Sequence, residues 1–177
     1  MPLSTAVQKK IVRCLRSCET GGVTQVDLSV ISPSQLYKTY AKDGRGWLYT
    51  LVAIPERTLE DFLSGSLTSS DLFSVSRVKA GHAVHFQRRQ REYRRCERSG
   101  YAFIWLKLYS VSRRMRFEHI VHTALDSIGQ RAKVPCSCKG YTRLHREFWR
   151  LSDIGGLASL KHIVGLCAKS AGESLAD

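Results

Sequence analysis

The stretch RVKAGHAVHFQRRQREYRRC, residues 77–96, begins with the alternation of a β-strand, passes a glycine and continues as an arginine-rich helix. Between Arg77 and Arg98 the chain carries eight cations and two acids. Two interpretations of this charge compete: a face that binds a polyanion, and an ordinary solvated helix on which Glu92 pairs locally. Three further arginines follow the next predicted strand, and their addition to the positive field favours the polyanion.

The predicted helix over Val84–Arg98 has one apolar side, formed by Phe86, Tyr93 and Cys96. Arg89 lies among these residues. Burying a guanidinium is costly unless an anion faces it, so we expect Arg89 at a partly enclosed anion site. The side chains predicted to contact nucleic acid are Lys79, His82, Arg88, Arg89, Arg91, Arg95, Arg113 and Arg114.

Composition narrows the class of partner. The chain has 177 residues, 43% of them hydrophobic, and a formal net charge of +13. This charge indicates nucleic acid first and an anionic membrane surface second, against a basic protein that binds no polyanion. No stretch approaches the roughly 18 consecutive apolar residues of a membrane span, and the N-terminus lacks the apolar run of a secretory signal. We therefore expect DNA or another nucleic acid as partner, no membrane, and an intracellular location, with the nucleus favoured by the charge.

Hydrophobic patterning predicts a small α+β domain. Apolar runs bounded by glycine, proline or polar residues predict three strands, at Gly46–Ile54, Leu72–Gly81 and Gly100–Ser112. Helical periodicity predicts helices at 8–18, 84–98, 113–129 and 155–172. Residues 55–71 read as connecting chain with at most one helical turn, and residues 131–149 as short and irregular.

Several short motifs occur in a fixed order: GWLYTL at 46–51, VKAG at 78–81, Arg89, Glu118 within RFEHIVHTAL, and CSCKGYTRLHREFW at 136–149. In this order they resemble the GIY-YIG nuclease superfamily, and most closely its phage T-five-type DNA-binding domain branch, which also occurs in fungal proteins. The resemblance implies a three-stranded antiparallel sheet flanked by helices. It divides the chain into an N-terminal helical extension (1–43), a GIY-YIG-like domain (44–150) and a C-terminal helix (151–177).

The resemblance also implies site residues. Tyr49 matches the tyrosine that helps to activate water, Arg89 the arginine that stabilises charge on the phosphate, and Glu118 the ligand of a magnesium ion. Lys79 stands where the superfamily has its second tyrosine. Lysine can pair with a phosphate as a point charge, but it replaces a phenol poorly in proton transfer unless it is strongly desolvated. The sequence thus favours DNA binding with weak or absent hydrolysis.

A cysteine cluster suggests zinc. Cys136, Cys138 and His145 fall within ten residues, and a tetrahedral zinc site needs a fourth ligand. The resemblance makes Cys96 the best candidate for it. The alternative is that Cys96 packs as a small hydrophobic residue and the other two cysteines are free thiols. Glu147 either faces the cleft or pairs at the surface with a neighbouring arginine.

Three functions remain open from the sequence: a DNA-binding module that contacts phosphates without reading bases, a working magnesium-dependent endonuclease, and a basic module that binds an acidic protein. Oligomeric state is not indicated.

Overall fold

The computed structural model describes residues 3–19, 22–96, 100–136 and 143–175. A 3-10 turn at Leu28–Val30 accompanies seven helices and five strands within these ranges. The helices are α1 (Thr5–Ser17), α2 (Pro33–Leu36), α3 (Glu56–Leu63), α4 (Ser69–Val75), α5 (Phe86–Cys96), α6 (Arg114–Asp126) and α7 (Leu157–Ala171). The strands are β1 (Gly46–Pro55), β2 (Arg77–Ala83), β3 (Tyr101–Val111), β4 (Arg131–Cys136) and β5 (Arg143–Arg150).

The strands form one antiparallel sheet in the order β3-β1-β2-β5-β4. The α+β class is confirmed, but the expectation of a three-stranded sheet was wrong, because the described residues form five strands in one sheet. Residues 131–149, expected to be irregular, supply the hairpin of β4 and β5. Val134, Phe148 and Trp149 are fully buried, so tertiary burial stabilises strands that a polar, cysteine-containing sequence did not reveal.

The expected strand over Leu72–Gly81 was wrong in its first half. Residues up to Val75 are helical, and the strand begins at Arg77. The helix begins with a capping box, in which the Thr68 hydroxyl accepts from the Asp71 backbone amide and the Asp71 carboxylate accepts from the Thr68 amide. Residues 56–63 likewise form the full helix α3. At α4, local capping therefore overrides the apolar run that suggested a strand.

Residues 77–96 fold as a strand followed by a helix, although β2 continues past Gly81 to Ala83. The sheet carries helices on both faces. On one face the cluster around Leu48 and Val52 includes residues of α1, α6 and α7. On the other face α5 packs through Tyr93 and Cys96. The predicted domain limits at 44 and 150 remain a prediction, while α1 and α7 share a core with the sheet.

Gly81 allows a close approach between strand and side chain. It lies opposite Tyr49 in the β1–β2 register. A Cβ at position 81 would lie 2.9 Å from Cε2 of Tyr49 and closer still to its Cζ and hydroxyl oxygen. Tyr49 is only 2% exposed, so its ring has little freedom to move away. Glycine is therefore required for the Tyr49 ring to lie over β2.

We predict that Gly81→Ala lowers the free energy of unfolding by about 1–3 kcal/mol, because the added methyl group displaces a packed ring. Gly165→Ala is the matched control. Gly165 lies within α7, where a Cβ meets no atom within 4 Å, and alanine there should stabilise by roughly 0.5–1 kcal/mol. Urea unfolding followed by circular dichroism measures both. Equal effects of the two substitutions would contradict the packing described for Tyr49.

Candidate nucleic-acid interface

A cavity of about 510 Å³ opens where β5 separates from β2. In the described part of the chain, the two strands pair only at Arg77 with Arg150 and at Val78 with Trp149. Beyond Val78, the edge of β2 faces the cavity instead of another strand. The walls are completed by α5, α6 and β5. The divergence of two strands thus creates the space.

Two side chains of α6 satisfy the open edge of β2. The backbone amide of His82 donates to Glu118 Oε1 at 2.9 Å, and His82 Nδ1 lies 2.6 Å from Glu118 Oε2. One turn further along, His122 Nε2 lies 2.9 Å from the Ala80 carbonyl oxygen. Since a carbonyl oxygen can only accept, this nitrogen of His122 carries the hydrogen. These hydrogen bonds therefore hold α6 against the edge of β2 and fix the carboxylate of Glu118 at the cavity wall.

The same contacts set the protonation of both α6 groups. Burial alone would raise the pKa of Glu118, but the hydrogen bond from His82 and the nearby positive groups outweigh it and hold the pKa below 4.5. Burial lowers the pKa of His122 below 6.5 despite the opposing effect of Glu118. At neutral pH Glu118 is therefore an anion and His122 is uncharged.

Lys79 projects from β2 into the cavity. Its side chain is only 7% exposed, and its Nζ lies 2.5 Å from Glu147 Oε2 on β5. Burial by itself would raise the pKa of Glu147, yet the Lys79 ammonium holds it below 4.5. The glutamate that sequence left open between cleft and surface thus lines the cavity, where it pairs with Lys79. It was missed as a site residue because the strand that carries it was not predicted.

Arg89 lies at the mouth of the cavity, as its apolar neighbours on the helix suggested. Its side chain is 38% exposed, and Nη1 donates to Glu92 Oε2 at 2.7 Å. Arg88 also lies 3.4 Å from the Glu92 carboxylate. Arg91, Arg94 and Arg95 are exposed and form no ion pair within the described residues. The helix therefore presents both paired and unpaired cations.

An aromatic cluster forms the inner wall. Tyr49 packs edge-on against Tyr93 and Trp105, and the two tyrosine hydroxyls lie 3.4 Å apart. Burial raises the pKa of Tyr49 above 10 and that of Tyr93 further, although Lys79 and Arg89 act in the opposite direction on Tyr49. Both phenols are therefore protonated at neutral pH.

The cavity brings together many of the residues that sequence selected. Its lining includes Tyr49, Lys79, His82, Arg89, Arg95, Cys96, Glu118 and His145. Arg88 and Arg91 lie beside it on the outer side of α5. Arg114 is not part of this lining, and its guanidinium donates to the carbonyl oxygens of Lys42, Gly44 and Arg45. The backbone amide of Arg113 donates to Glu173.

Two of the four predicted zinc ligands are adjacent. Cys96 Sγ lies 3.6 Å from His145 Nε2, close to the separation of about 3.5 Å that tetrahedral zinc imposes on a thiolate and an imidazole. The side chain of Cys136 and all of Cys138 lie outside the described residues. Within the described side chains, no group of three His, Cys, Asp or Glu residues is placed to hold a metal ion. The pair fits one edge of a zinc site.

Magnesium would need oxygen ligands. Each oxygen of Glu118 accepts one hydrogen bond from His82 and so retains a second lone-pair site. Glu147 adds another carboxylate to the same cavity. The residues present therefore fit magnesium in donor type.

Comparison with known proteins gives one family. The model of the T5orf172 domain family matches residues 57–168, from α3 into α7. This range contains β2, α5, α6 and β5, which form most of the cavity. No curated protein and no solved structure matches the chain. Among the helices of the described residues, none has the length and apolar character needed to cross a membrane.

We predict that Glu147→Gln lowers the free energy of unfolding by about 1 kcal/mol at pH 7, because the buried Lys79 ammonium loses its charged partner while Glu147 itself is half exposed. The pKa of Glu147 is lowered in the folded protein, so its contribution is present above pH 4.5 and is lost as the pH falls through the lowered pKa. The two proteins should therefore converge in stability in acid.

Urea unfolding between pH 7 and pH 3 checks this pH dependence. Glu60→Gln, at an exposed position on α3, is the control and should change little. A stability difference for Glu147→Gln that persists unchanged in acid would contradict the Lys79–Glu147 interaction.

Proposed function

The chain belongs to the T5orf172 domain family, and on this premise we propose that it is a DNA-binding module of the GIY-YIG nuclease type with weak or no hydrolytic activity. Family membership supports a nuclease-like DNA-binding module. To this we add phosphate contact through α5 and the adjoining cavity. The observation that carries it is the convergence of Arg89, Lys79 and Glu118 on one cavity beside a row of exposed arginines.

The outer side of α5 suits a phosphate backbone. Arg94 and Arg95 lie three and four residues after Arg91 in the helix, so both are neighbours of Arg91 on the helix surface. All three are exposed. Arginine forms two parallel hydrogen bonds to a phosphate. Such contacts fix the position of DNA without reading its sequence, so binding should be sensitive to salt and tolerant of sequence.

Arg89 would connect this surface to the cavity. At rest its guanidinium pairs with Glu92, which is 41% exposed. An exposed carboxylate returns to water at little cost, so a phosphodiester can replace it on Arg89. A bound phosphate there would lie beside the mouth of the cavity.

Two features favour binding over hydrolysis. Tyr49 is buried, its hydroxyl lies against that of Tyr93, and its raised pKa keeps it protonated at neutral pH. Lys79, in the place of the second tyrosine, is paired with Glu147. A general base needs a pKa near the working pH and access to its proton donor. Tyr49 meets neither condition in the observed arrangement, and the ammonium group of Lys79 is held by Glu147.

The alternative is a working endonuclease, favoured by the shared cavity of Tyr49, Arg89 and Glu118. Magnesium, when bound, would polarise the scissile phosphate. Glu118 would hold the ion through its remaining lone pairs, and Arg89 would neutralise charge on the phosphate. A third function, binding of an acidic protein by the same cations, is separated from both by the experiment below.

We further propose a structural zinc ion held by Cys96, Cys136, Cys138 and His145. The 3.6 Å separation of Cys96 Sγ and His145 Nε2 supports it. Such an ion would tie the β4–β5 hairpin to α5, since the predicted ligands come from these elements and the segment between them.

A nuclear location stays a prediction.

For zinc, we predict about one equivalent in the purified protein by elemental analysis, and its loss in Cys96→Ser, because removing a thiolate leaves three ligands. Cys18→Ser is the control, since Cys18 lies at the end of α1 and should not affect metal content. A folded wild-type protein without zinc, purified in the absence of chelators, would eliminate the proposal.

For DNA, we predict that Arg91→Gln combined with Arg95→Gln weakens binding to a labelled duplex by at least about tenfold near 0.1 M salt. The slope of log affinity against log salt should become shallower by nearly 2, because two phosphate contacts are lost. Fluorescence anisotropy over a salt series measures both quantities. Arg57→Gln, at an exposed position on α3 that lines neither the cavity nor α5, is the control.

An unchanged affinity in the double variant would contradict phosphate contact through α5. Incubation of the wild-type protein with supercoiled plasmid and magnesium distinguishes the endonuclease from the DNA-binding module. Nicking by the wild type that disappears in Glu118→Gln would replace the binding-only account with the endonuclease. Tight binding of polyglutamate with no binding of duplex would instead support the acidic protein partner.

A further inference from the structure

A second cleft lies on the opposite face of the sheet. It has a volume of about 550 Å³ and is bounded by α1, β3 and α7. Thr50 and Ile104 contribute to its floor. These residues lie on the face that carries Leu48 and Val52, whereas Tyr49 points to the first cavity. The two clefts are therefore separated by the thickness of the sheet.

The lining of this second cleft is basic. Lys9, Arg13 and Arg16 fall at i, i+4 and i+7 on α1, so they share one side of the helix. Lys161 faces them from α7. All four are exposed, and within the described residues none is in an ion pair. In the part of the chain that the structure describes, no aspartate or glutamate lines the cleft. The first cavity, in contrast, balances its cations with three glutamates.

A β-bulge adds a fifth cation. Trp105 pairs with Leu51 and Lys107 pairs with Thr50, so Leu106 is an extra residue without a partner on β1. Cross-strand partners point to the same face, so the bulge turns Lys107 to the side of Thr50, where it lines the cleft. In a regular strand, position 107 would point to the same face as Trp105, which is the face of the first cavity. Bulges often redirect a side chain in this way next to functional sites.

The walls of the cleft are held in place without the lining cations. Glu19, which follows α1, accepts hydrogen bonds from the backbone amides of Leu157 and Ala158 at 2.6 and 3.2 Å. These amides begin α7, where a carboxylate satisfies unpaired donors and the helix dipole. Thr24 and Ser159 add a further hydrogen bond between the two segments. The cleft is therefore preformed.

The apolar side of α1 excludes one class of partner. Ile11 and Leu15 are fully buried in the core, so this basic helix cannot insert an apolar face into a lipid surface. Its cations from Lys9 to Arg16 extend about 10 Å along the helix axis, which matches roughly three nucleotides of one strand in a duplex. A row of phosphates fits this spacing of charge.

We propose that the cleft between α1, β3 and α7 is a second nucleic-acid contact surface, which binds the phosphodiester backbone independently of α5. The protein then holds two segments of nucleic acid on opposite faces of one sheet. The α1 wall, with Lys9, Arg13 and Arg16, lies outside the family match at 57–168, whereas the β3 and α7 walls lie within it. Binding at this surface does not involve the first cavity.

The test compares Arg13→Gln/Arg16→Gln with Arg91→Gln/Arg95→Gln and with Arg57→Gln. A biotinylated duplex on beads is saturated with protein, and a second, fluorescein-labelled duplex is then added. Wild-type protein and the Arg57 control should retain the second duplex. The α1 variant should retain at most about a tenth as much, while still binding the first duplex through α5. Lys161→Gln, on α7, should reduce retention in the same direction, and all the substituted cations are exposed, so folding should be preserved.

Equal retention by the α1 variant and wild type would overturn the proposal. So would a loss of polyglutamate binding with no change in duplex binding, which would assign the cleft to an acidic protein. An α5 variant that binds one duplex normally while the α1 variant binds none would support this surface and contradict the proposed role of α5. The two proposals therefore fail separately.

Discussion

The open edge of β2 beyond Val78 is the constraint on which the rest of the site depends. Once β5 has separated, the Ala80 carbonyl and the His82 amide need partners, and an unpaired buried group costs about 1–3 kcal/mol. His122 and Glu118 provide them from α6. The need to satisfy these two backbone groups thus also places an ionised carboxylate at the cavity wall. The alternate residues of the same strand, Lys79 and Gly81, meet Glu147 and Tyr49.

The cavity and the second cleft differ in how their charges are balanced. In the cavity every described acid has a partner: Glu118 binds His82, Glu147 binds Lys79, and Glu92 binds Arg89. A phosphate that enters the cavity must displace one of these carboxylates from its cation. Binding should therefore be selective and limited to the exposed mouth of the cavity, where Arg89 pairs with Glu92. Among the described residues, the cleft beside α1 has no such carboxylates in its lining. Its four exposed cations, Lys9, Arg13, Arg16 and Lys161, need not leave an acidic partner there, so salt is the main competitor.

Much of the site was visible in the sequence because helix periodicity is a strong signal. It placed Arg89 among apolar neighbours and Glu118 beside the buried stripe of α6, and the structure has both on one cavity. The strands β4 and β5 were not visible, since their stability comes from burial of Phe148 and Trp149 rather than from local pattern. The pairing of Lys79 with Glu147 could not be foreseen without β5. Nor could the use of the Arg114 guanidinium to hold three backbone carbonyls.

A structure of the protein with a short DNA duplex tests the central claim most directly, through the distance from the Arg89 guanidinium to the nearest phosphate oxygen. The account predicts a hydrogen bond of about 2.7–2.9 Å, with Glu92 displaced and the contacts of Glu118 and His122 to β2 intact. A duplex bound elsewhere, with Arg89 still on Glu92 and no phosphate at the mouth of the cavity, would contradict it.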